Sequence, residues 1–519
     1  MKNINQFLKI GMVFVFMFTV LCGCNQSAVE NPNTPDTVTE TDNNPNKISI
    51  GAYSTENPNP LLVKSGYNEQ INFLIYDGLY QISPNYEAVE NLAAGYEIQN
   101  GGYSVQIFLK PNVHFHDGSK LTAQDVKATV NFLLENPGYY SHQVRNIQSV
   151  SVIDDYTVTL TLAELTPNLK LQLTFPIVCK KELLNASNFR FNGTGAYKVS
   201  SQTQGKQIIL EQNKDYHRPF SSDIKQIEVS LIPDKETIRS LSGSGILDVF
   251  YAAFFDEGLK TVTKYESTKF DYLTDEYTFL ALNYNTTYMQ EKKFRKALYK
   301  AIDREAIQND IFMTHAESAY LPLPPNSWAY NDSKENEKNT EMAKQLLSEL
   351  GYLDEDNNGV LEFRINEEEK ELVLDILTID DSIKNDICKT LVSNLKDIGV
   401  SLKIHTVSKE EFESVYAEQK HDLYLITTNI GYDLDLKPFF DGVFAAPLGI
   451  DYNSYLTKLA NADKLELKQP EYMRLCDEFY EQIPHIPLVF LKNTLLTTAK
   501  LGEVTKVSPS HLYYSVLEK

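Results

Sequence analysis

Apolar and polar residues alternate at Lys47-Ile48-Ser49-Ile50, the period-two pattern of a half-buried strand. Strand patterns recur at Tyr103–Leu109, Val158–Leu162, Ile224–Ile232, Leu372–Leu377, Val400–Val407 and Leu423–Thr427. Helical spacing lies between them. Thr122-Ala-Gln-Asp125 is a capping box, and Val126, Val130, Leu133 and Leu134 follow it at helical intervals. Phe294, Ala297, Leu298, Ala301 and Ile302 define a second helix face. Met342, Leu346, Leu347 and Leu350 define a third, stopped by Gly351. Mixed strands and helices over 519 residues predict layered α/β or α+β architecture, and no internal repeat interrupts it.

The N-terminus follows a different pattern. Lys2 and Lys9 precede an apolar run of 12 residues, Ile10 to Leu21. A bilayer-spanning helix needs about 20 residues, so this run is too short to span and has the layout of a secretory leader. It ends in Leu21-Cys22-Gly23-Cys24, which resembles a bacterial lipobox with Cys24 as the lipidated residue. The expectation is a leader over residues 1–23 and a lipid anchor at Cys24 on the extracytoplasmic face of the cell membrane. Residues 24–46 are rich in Asn, Thr, Pro and Asp and read as a disordered tether.

Charge narrows the function classes. Asp plus Glu is 70 against 48 Lys plus Arg, a net charge of −22. Phosphate recognition needs a basic surface, so nucleic acid is not an expected partner. With Cys22 in the leader and Cys24 acylated, Cys179, Cys388 and Cys476 remain. Their wide spacing fits no zinc motif, and they read as small buried residues, with one disulfide left open. HExxH, Walker and GxSxG motifs are absent, and nothing in the chain argues for an enzyme or a cofactor.

Five segments, in order, resemble one family. Asn91-Leu-Ala-Ala-Gly-Tyr-Glu-Ile98 leads into Tyr103–Leu109 and then Val113-His-Phe-His-Asp-Gly-Ser-Lys-Leu-Thr-Ala-Gln-Asp-Val126. Gly193-Thr-Gly-Ala-Tyr-Lys-Val199 precedes Leu210-Glu-Gln-Asn-Lys-Asp-Tyr216. Lys293–Ile307, Met342–Tyr352 and Ile483-Pro-His-Ile-Pro-Leu-Val489 complete the series. The chain from Ile48 onward is similar to bacterial extracellular solute-binding proteins of family 5, the peptide- and nickel-binding components of ABC importers. The resemblance implies an α/β fold of the two-lobed periplasmic-binding-protein type, with an extra inserted domain and a hinge between the lobes. Lobe one would take residues 47–63, 189–278 and 491–519, the inserted domain 64–188, and lobe two 279–490. The implied partners are an oligopeptide or small-solute ligand, a membrane permease and its ATPase, with the chain acting as a monomer. The same fold carrying a nickel chelate or another small solute, and a surface receptor for signal peptides, are the alternatives.

The family's peptide binders anchor the ligand's α-amine on an Asp after a strand of lobe two. In Gly431-Tyr432-Asp433-Leu434-Asp435-Leu436-Lys437-Pro438, Asp433 matches best, although Leu434 replaces an aromatic residue and the proline is displaced to Pro438. A carboxylate in a closed cleft pairs well with ammonium. Asp435 is the second choice; the competing role for both is loop capping. By resemblance, Asn283 and Tyr284 sit at the crossover between lobes, Tyr251 or Phe254 lines a pocket, and Trp328 faces the cleft from a proline-rich loop.

Other clusters are read as structural. His114 and His116 share a strand face, but their Asp117-Gly118 turn matches the family's hairpin, so no metal is expected there. Arg295, Asp303 and Arg304 read as salt-bridge residues on a helix. Asp354, Asp356, Asn358 and Gly359 resemble the first half of an EF-hand loop. Its twelfth position is Ile365, which lacks the bidentate Glu; Glu362 or Glu367 is the available substitute. A polar turn is the expected reading, with no metal.

Overall fold

The computed structural model describes residues 44–53, 59–184, 189–253, 266–331, 337–365, 368–440 and 446–518. Cys24, the leader, most of the tether, Phe254 and Glu367 lie outside them. Among the described residues no helix is long and apolar enough to cross a membrane.

The alternation at residue 47 does produce a strand, Lys47–Tyr53, with Ile48 and Ile50 buried on one face. It lies parallel to Gln226–Ile232, which pairs antiparallel with Gln207–Gln212, and that strand with Tyr197–Thr203. On the other side it touches Val249–Ala253. At the far end of the same sheet, Val373–Ile379 runs parallel to both Ser401–Val407 and Leu423–Asn429. Two long strands join these halves into one 11-stranded sheet: Ser267–Leu282 and Ile486–Thr498. These two crossover strands pair antiparallel with each other. Fourth and fifth in the series of strands counted from Ser401–Val407, they carry the sheet from one lobe into the other.

A separate four-stranded sheet is formed by Ala93–Gln99, Ser104–Leu109, Thr157–Leu162 and Ile147–Asp154. The helix Ala123–Glu135 packs on it. Asp125 Oδ2 accepts hydrogen bonds from Thr122 N and Thr122 Oγ1, both at 2.9 Å, so the predicted capping box is present. Its Oδ1 accepts from Lys180 N at 2.8 Å and ties the helix start to the next segment.

Two large apolar clusters define the lobes. One joins Val105, Ile107, Val126 and Leu160 of the small sheet to Ile50, Val229 and Leu495 of the large one. The other gathers Phe294, Leu298, Leu347, Leu374, Leu391, Leu425 and Leu488. A third lies where the lobes meet, with Ile82, Tyr86 and Leu171 against Tyr277, Leu434 and Tyr472. Burying one such side chain fully contributes about 1.5–3 kcal/mol, so these clusters carry the fold. Cys179, Cys388 and Cys476 are buried one in each cluster and form no disulfide with one another, which closes the disulfide question left by the spacing.

Two expectations change. Arg295 and Arg304 are buried, yet they bond to carbonyls rather than carboxylates. Arg295 donates to the carbonyls of Gln482 at 2.6 Å and Met289 at 3.0 Å, and Arg304 to that of Pro487 at 2.8 Å. A fixed guanidinium fork satisfies chain ends that the helix termini leave open. Asp303 does form an ion pair, 3.5 Å from Lys338 Nζ, and also accepts from Ala306 N at 2.9 Å as a helix cap.

Candidate ligand cleft

The first crossover strand carries an irregularity that builds the cleft. Thr274, Asp275 and Glu276 break the alternation of Ser267–Leu282 with three successive polar residues. Here the register against the second crossover strand shifts: Leu273 faces Lys492, but Tyr277 faces Phe490. Three residues therefore stand opposite one, a bulge that re-aims side chains. Past it the strand takes up its pairing with Leu423–Asn429, beginning at Glu276 opposite Asn429. Asp275 is left between the two pairings and points into a cavity of about 390 Å³ between the lobes.

The cavity wall comes from distant parts of the chain. The helix Gly66–Ile75 supplies Glu69, Gln70 and Phe73, and the segment 139–143 supplies Tyr139, His142 and Gln143. The crossover strands supply Tyr272, Asp275 and Asn493, and lobe two supplies Asn429 and Tyr432. Gly66 keeps one side open, because a Cβ there would stand 2.9 Å from Tyr251 Oη. Gly431 has φ +78°, a backbone conformation that favours glycine, and its N–H donates to Asp275 Oδ2 at 3.2 Å. Asn429 Nδ2 donates to Asp275 Oδ1 at 2.9 Å.

Two carboxylates dominate the electrostatics. Burial pushes the Glu69 carboxyl up to about 8, opposed by the Tyr139 and Tyr140 hydroxyls and reinforced by the Asp275 charge. Tyr139 Oη donates to Glu69 Oε2 at 2.9 Å. Burial also raises Asp275, against the hydrogen bonds from Asn429 and Gly431. The described lining holds no lysine or arginine; His142 is the one residue able to become cationic. The cavity is therefore built to take positive charge.

A second cavity of about 430 Å³ adjoins it, sharing His142, Asp275, Asn429 and Gly431. Asp433 and Asp435 line it, and here the expected anchor has another partner. Asp433 is 6% exposed, and Arg145 Nη2 lies 3.2 Å from its Oδ2 and 2.8 Å from Asp435 Oδ2. Gln172 Nε2 donates to Asp433 Oδ2 at 2.7 Å, and Asp435 N to Asp433 Oδ1 at 3.2 Å. Leu434, at φ +55° and buried, separates the two aspartates, and its carbonyl accepts from Tyr472 Oη at 2.7 Å. Burial and the Asp433 charge raise Asp435. Asp433 thus closes a latch between lobes with the protein's own cation.

More contacts cross the same seam. Asn168 Nδ2 donates to the Asp433 carbonyl at 2.8 Å and to Tyr472 Oη at 2.7 Å. Lys437 pairs with Glu164. Lys468 donates to the Pro167 carbonyl and, at 2.9 Å, to Asn168 Oδ1. With no carboxylate partner among the described residues, burial lowers Lys468 to about 7.

The other expected site residues divide. Tyr251 lines the 390 Å³ cavity. Trp328 is half-buried and lines a smaller seam cavity; its Nε1 donates to the Tyr86 carbonyl at 2.9 Å, so it joins the lobes rather than facing the main cavity. Asn283 is buried away from the cleft, its amide donating to the Gln419 and His421 carbonyls at 2.8 Å each. Tyr284 Oη donates to the Pro484 carbonyl at 3.0 Å within lobe two. Both serve the turn after the crossover strand. Glu69, Asp275 and Arg145 escaped the sequence reading; the polar triplet 274–276 inside a long apolar strand was the available signal.

Comparison with known proteins agrees with this architecture. The profile of bacterial extracellular solute-binding proteins, family 5 Middle, matches residues 87–446. The oligopeptide-binding protein AppA of Bacillus subtilis is 26% identical over 494 residues, 88% of each chain. The heme-binding protein A of Haemophilus influenzae is 25% identical over 380 residues, 66% of this chain and 69% of that one. The unliganded open form of the periplasmic murein tripeptide-binding protein MppA superposes with a TM-score of 0.74 at 17% identity, covering 91% and 96% of the two chains. The chain belongs to the bacterial extracellular solute-binding proteins of family 5, which bind solutes for ABC permeases rather than catalyse reactions.

Proposed function

We propose that this protein is a peptide receptor, held at the outer face of the cell membrane by lipid on Cys24, that delivers short cationic peptides to a permease and its ATPase. The observation that carries the reading is the pair Glu69 and Asp275, facing a 390 Å³ interlobe cavity with no lysine or arginine in its described lining. A ligand ammonium, from an α-amine or a basic side chain, supplies the missing charge. The amides of Gln143, Asn429 and Asn493 offer donors and acceptors to a peptide backbone. The volume lies toward the low end for small-molecule sites, which suits a peptide of a few residues. The similarity to an oligopeptide-binding protein along most of both chains supports peptides over other solutes.

Native mass spectrometry of the full-length chain, before and after denaturing removal of bound ligand, tests this. Peptide masses lost on denaturation and regained from a mixture of short peptides are expected. Calorimetry then compares free-amine peptides with their acetylated, uncharged counterparts, which are expected to bind at least about tenfold more weakly. A bound metal chelate or sugar with no peptide refutes the peptide assignment. Equal affinity for acetylated peptides refutes the charge assignment.

A further inference from the structure

Outside the cleft, lobe two contains a second group of carboxylates with unmet demand for positive charge. The segment Leu353-Asp-Glu-Asp-Asn-Asn-Gly-Val-Leu-Glu362 connects the helix Thr340–Glu349 to the strand Glu362–Ile365. A bridge between Leu353 and Glu362 closes its ends: Glu362 N donates to the Leu353 carbonyl at 2.7 Å. The turn brings Asp354, exposed Asp356 and buried Glu362 together. One carboxylate oxygen from each lies within 4.8 Å of those of the other two. Two oxygens held about 2.4 Å from one calcium ion are at most about 4.8 Å apart, so the three fit around a single ion.

Both Asp356 oxygens accept from Asn358, its N at 3.0 Å and its Nδ2 at 3.1 Å, but one oxygen of the cluster is unmet. Asp354 Oδ1 is sealed from solvent and receives no hydrogen bond. Its other oxygen accepts from Gly359 N at 3.0 Å. Glu362 is 7% exposed, and no lysine or arginine pairs with it among the described residues. Arg364, two residues on, lies against Glu355 at 3.5 Å and Glu369 at 3.6 Å instead. Glu355 N takes one Glu362 oxygen at 2.8 Å. Like charges this close repel, and a buried carboxylate oxygen without a donor is costly unless a cation completes it.

We propose that Asp354, Asp356 and Glu362 form a calcium site. Three carboxylates are hard oxygen ligands, and the cluster contains no His or Cys to favour a transition metal. Calcium takes six to eight oxygens in flexible geometry, so water and loop carbonyls complete the sphere. In the EF-hand frame, Glu362 supplies from the ninth position the carboxylate that Ile365 lacks at the twelfth. The ion pins a corner of lobe two, because Tyr352, Leu361 and Phe363 beside the loop pack on the core of that lobe.

The full-length chain, stripped with chelator and titrated with calcium chloride, tests the site by calorimetry and thermal unfolding. One calcium per chain is expected to bind saturably, with a dissociation constant on the order of 10⁻³ M or below, and to raise the unfolding midpoint. Asp356 is exposed, so Asp356→Asn is expected to fold as the parent does in chelator while losing about tenfold or more in calcium affinity. Asp354→Asn is expected to weaken binding as well. No saturable calcium binding by the parent chain overturns the proposal. So does calcium affinity unchanged in both variants, or a preference for magnesium over calcium.

Discussion

Two pairs of acidic residues face the cleft, and they differ in one respect: whether the protein supplies its own cation. Asp433 and Asp435 share Arg145, which reaches them from the opposite lobe. Glu69 and Asp275 have no such partner among the described residues, and both carboxyls are pushed up by burial. A satisfied pair holds lobes together and leaves little to offer a ligand. An unsatisfied pair destabilises the empty cleft and is relieved by a bound cation, so its cost becomes ligand selectivity. A carboxylate in the expected stretch of sequence is therefore not enough to identify the anchor. What pairs with it across the cleft decides its role.

Breaking the unsatisfied pair is expected to have the largest effect. Asp275→Asn should weaken ammonium-bearing ligands by about a hundredfold, about 2.7 kcal/mol, and neutral ligands far less. Calorimetry with matched charged and acetylated peptides reads the difference. Arg145→Ala comes next. It leaves Asp433 and Asp435 together without a cation, but Arg145 is 37% exposed, so solvent screens the loss to about 1–2 kcal/mol. Affinity should fall about tenfold for charged and neutral ligands alike, and small-angle scattering should show a more open average shape.

The third expectation concerns pH. Burial holds the Glu69 carboxyl at about 8 against 4.5 ordinarily. The native state therefore keeps a proton that the unfolded chain has lost, and this group's contribution to stability falls as pH rises from about 4.5 to about 8. A bound cation favours the carboxylate, so binding at neutral pH should expel a proton and tighten as pH rises toward 8. Calorimetry in buffers of different ionisation enthalpy measures that proton, and Glu69→Gln should abolish it. The smallest effect is expected from Asp433→Asn, because the one amide oxygen that remains still accepts from the Asp435 amide and Arg145 keeps Asp435 as its partner. The loss should be about 1 kcal/mol or less, with the preference for free over acetylated amines unchanged. A selective loss of free-amine binding would return the anchor role to Asp433.

What the sequence revealed follows the reach of each interaction. The capping box at Thr122 and Asp125 spans one helical turn, and the alternation at Lys47 needs only neighbours; both were legible. The order of family segments carried the two-lobed layout. The partner of Asp433 was not legible, because Arg145 lies 288 residues away and nothing local marks the pairing. Trp328 was read as facing the cleft, and its bond to the Tyr86 carbonyl was not legible. Asn283 is polar at a crossover, yet its amide answers to two carbonyls of its own lobe. The bulge at 274–276 left a trace in the polar triplet, although the direction in which Asp275 points required the register of three strands. The carboxylate loop at 354–362 was partly visible, since its ligands lie within nine residues.

The crossover strands also constrain how the chain matures. Residues from Leu280 to Leu491 supply the core of lobe two without a contribution from earlier segments. Lobe one, though it begins at the N-terminus, waits for Leu495–Thr497 to pair with Val249–Tyr251 before that edge of its sheet is covered. A chain emerging N-terminus first thus exposes an unpaired strand edge, a template for misassociation, until nearly all of it has been made. The half of the molecule synthesised first is the last to be completed.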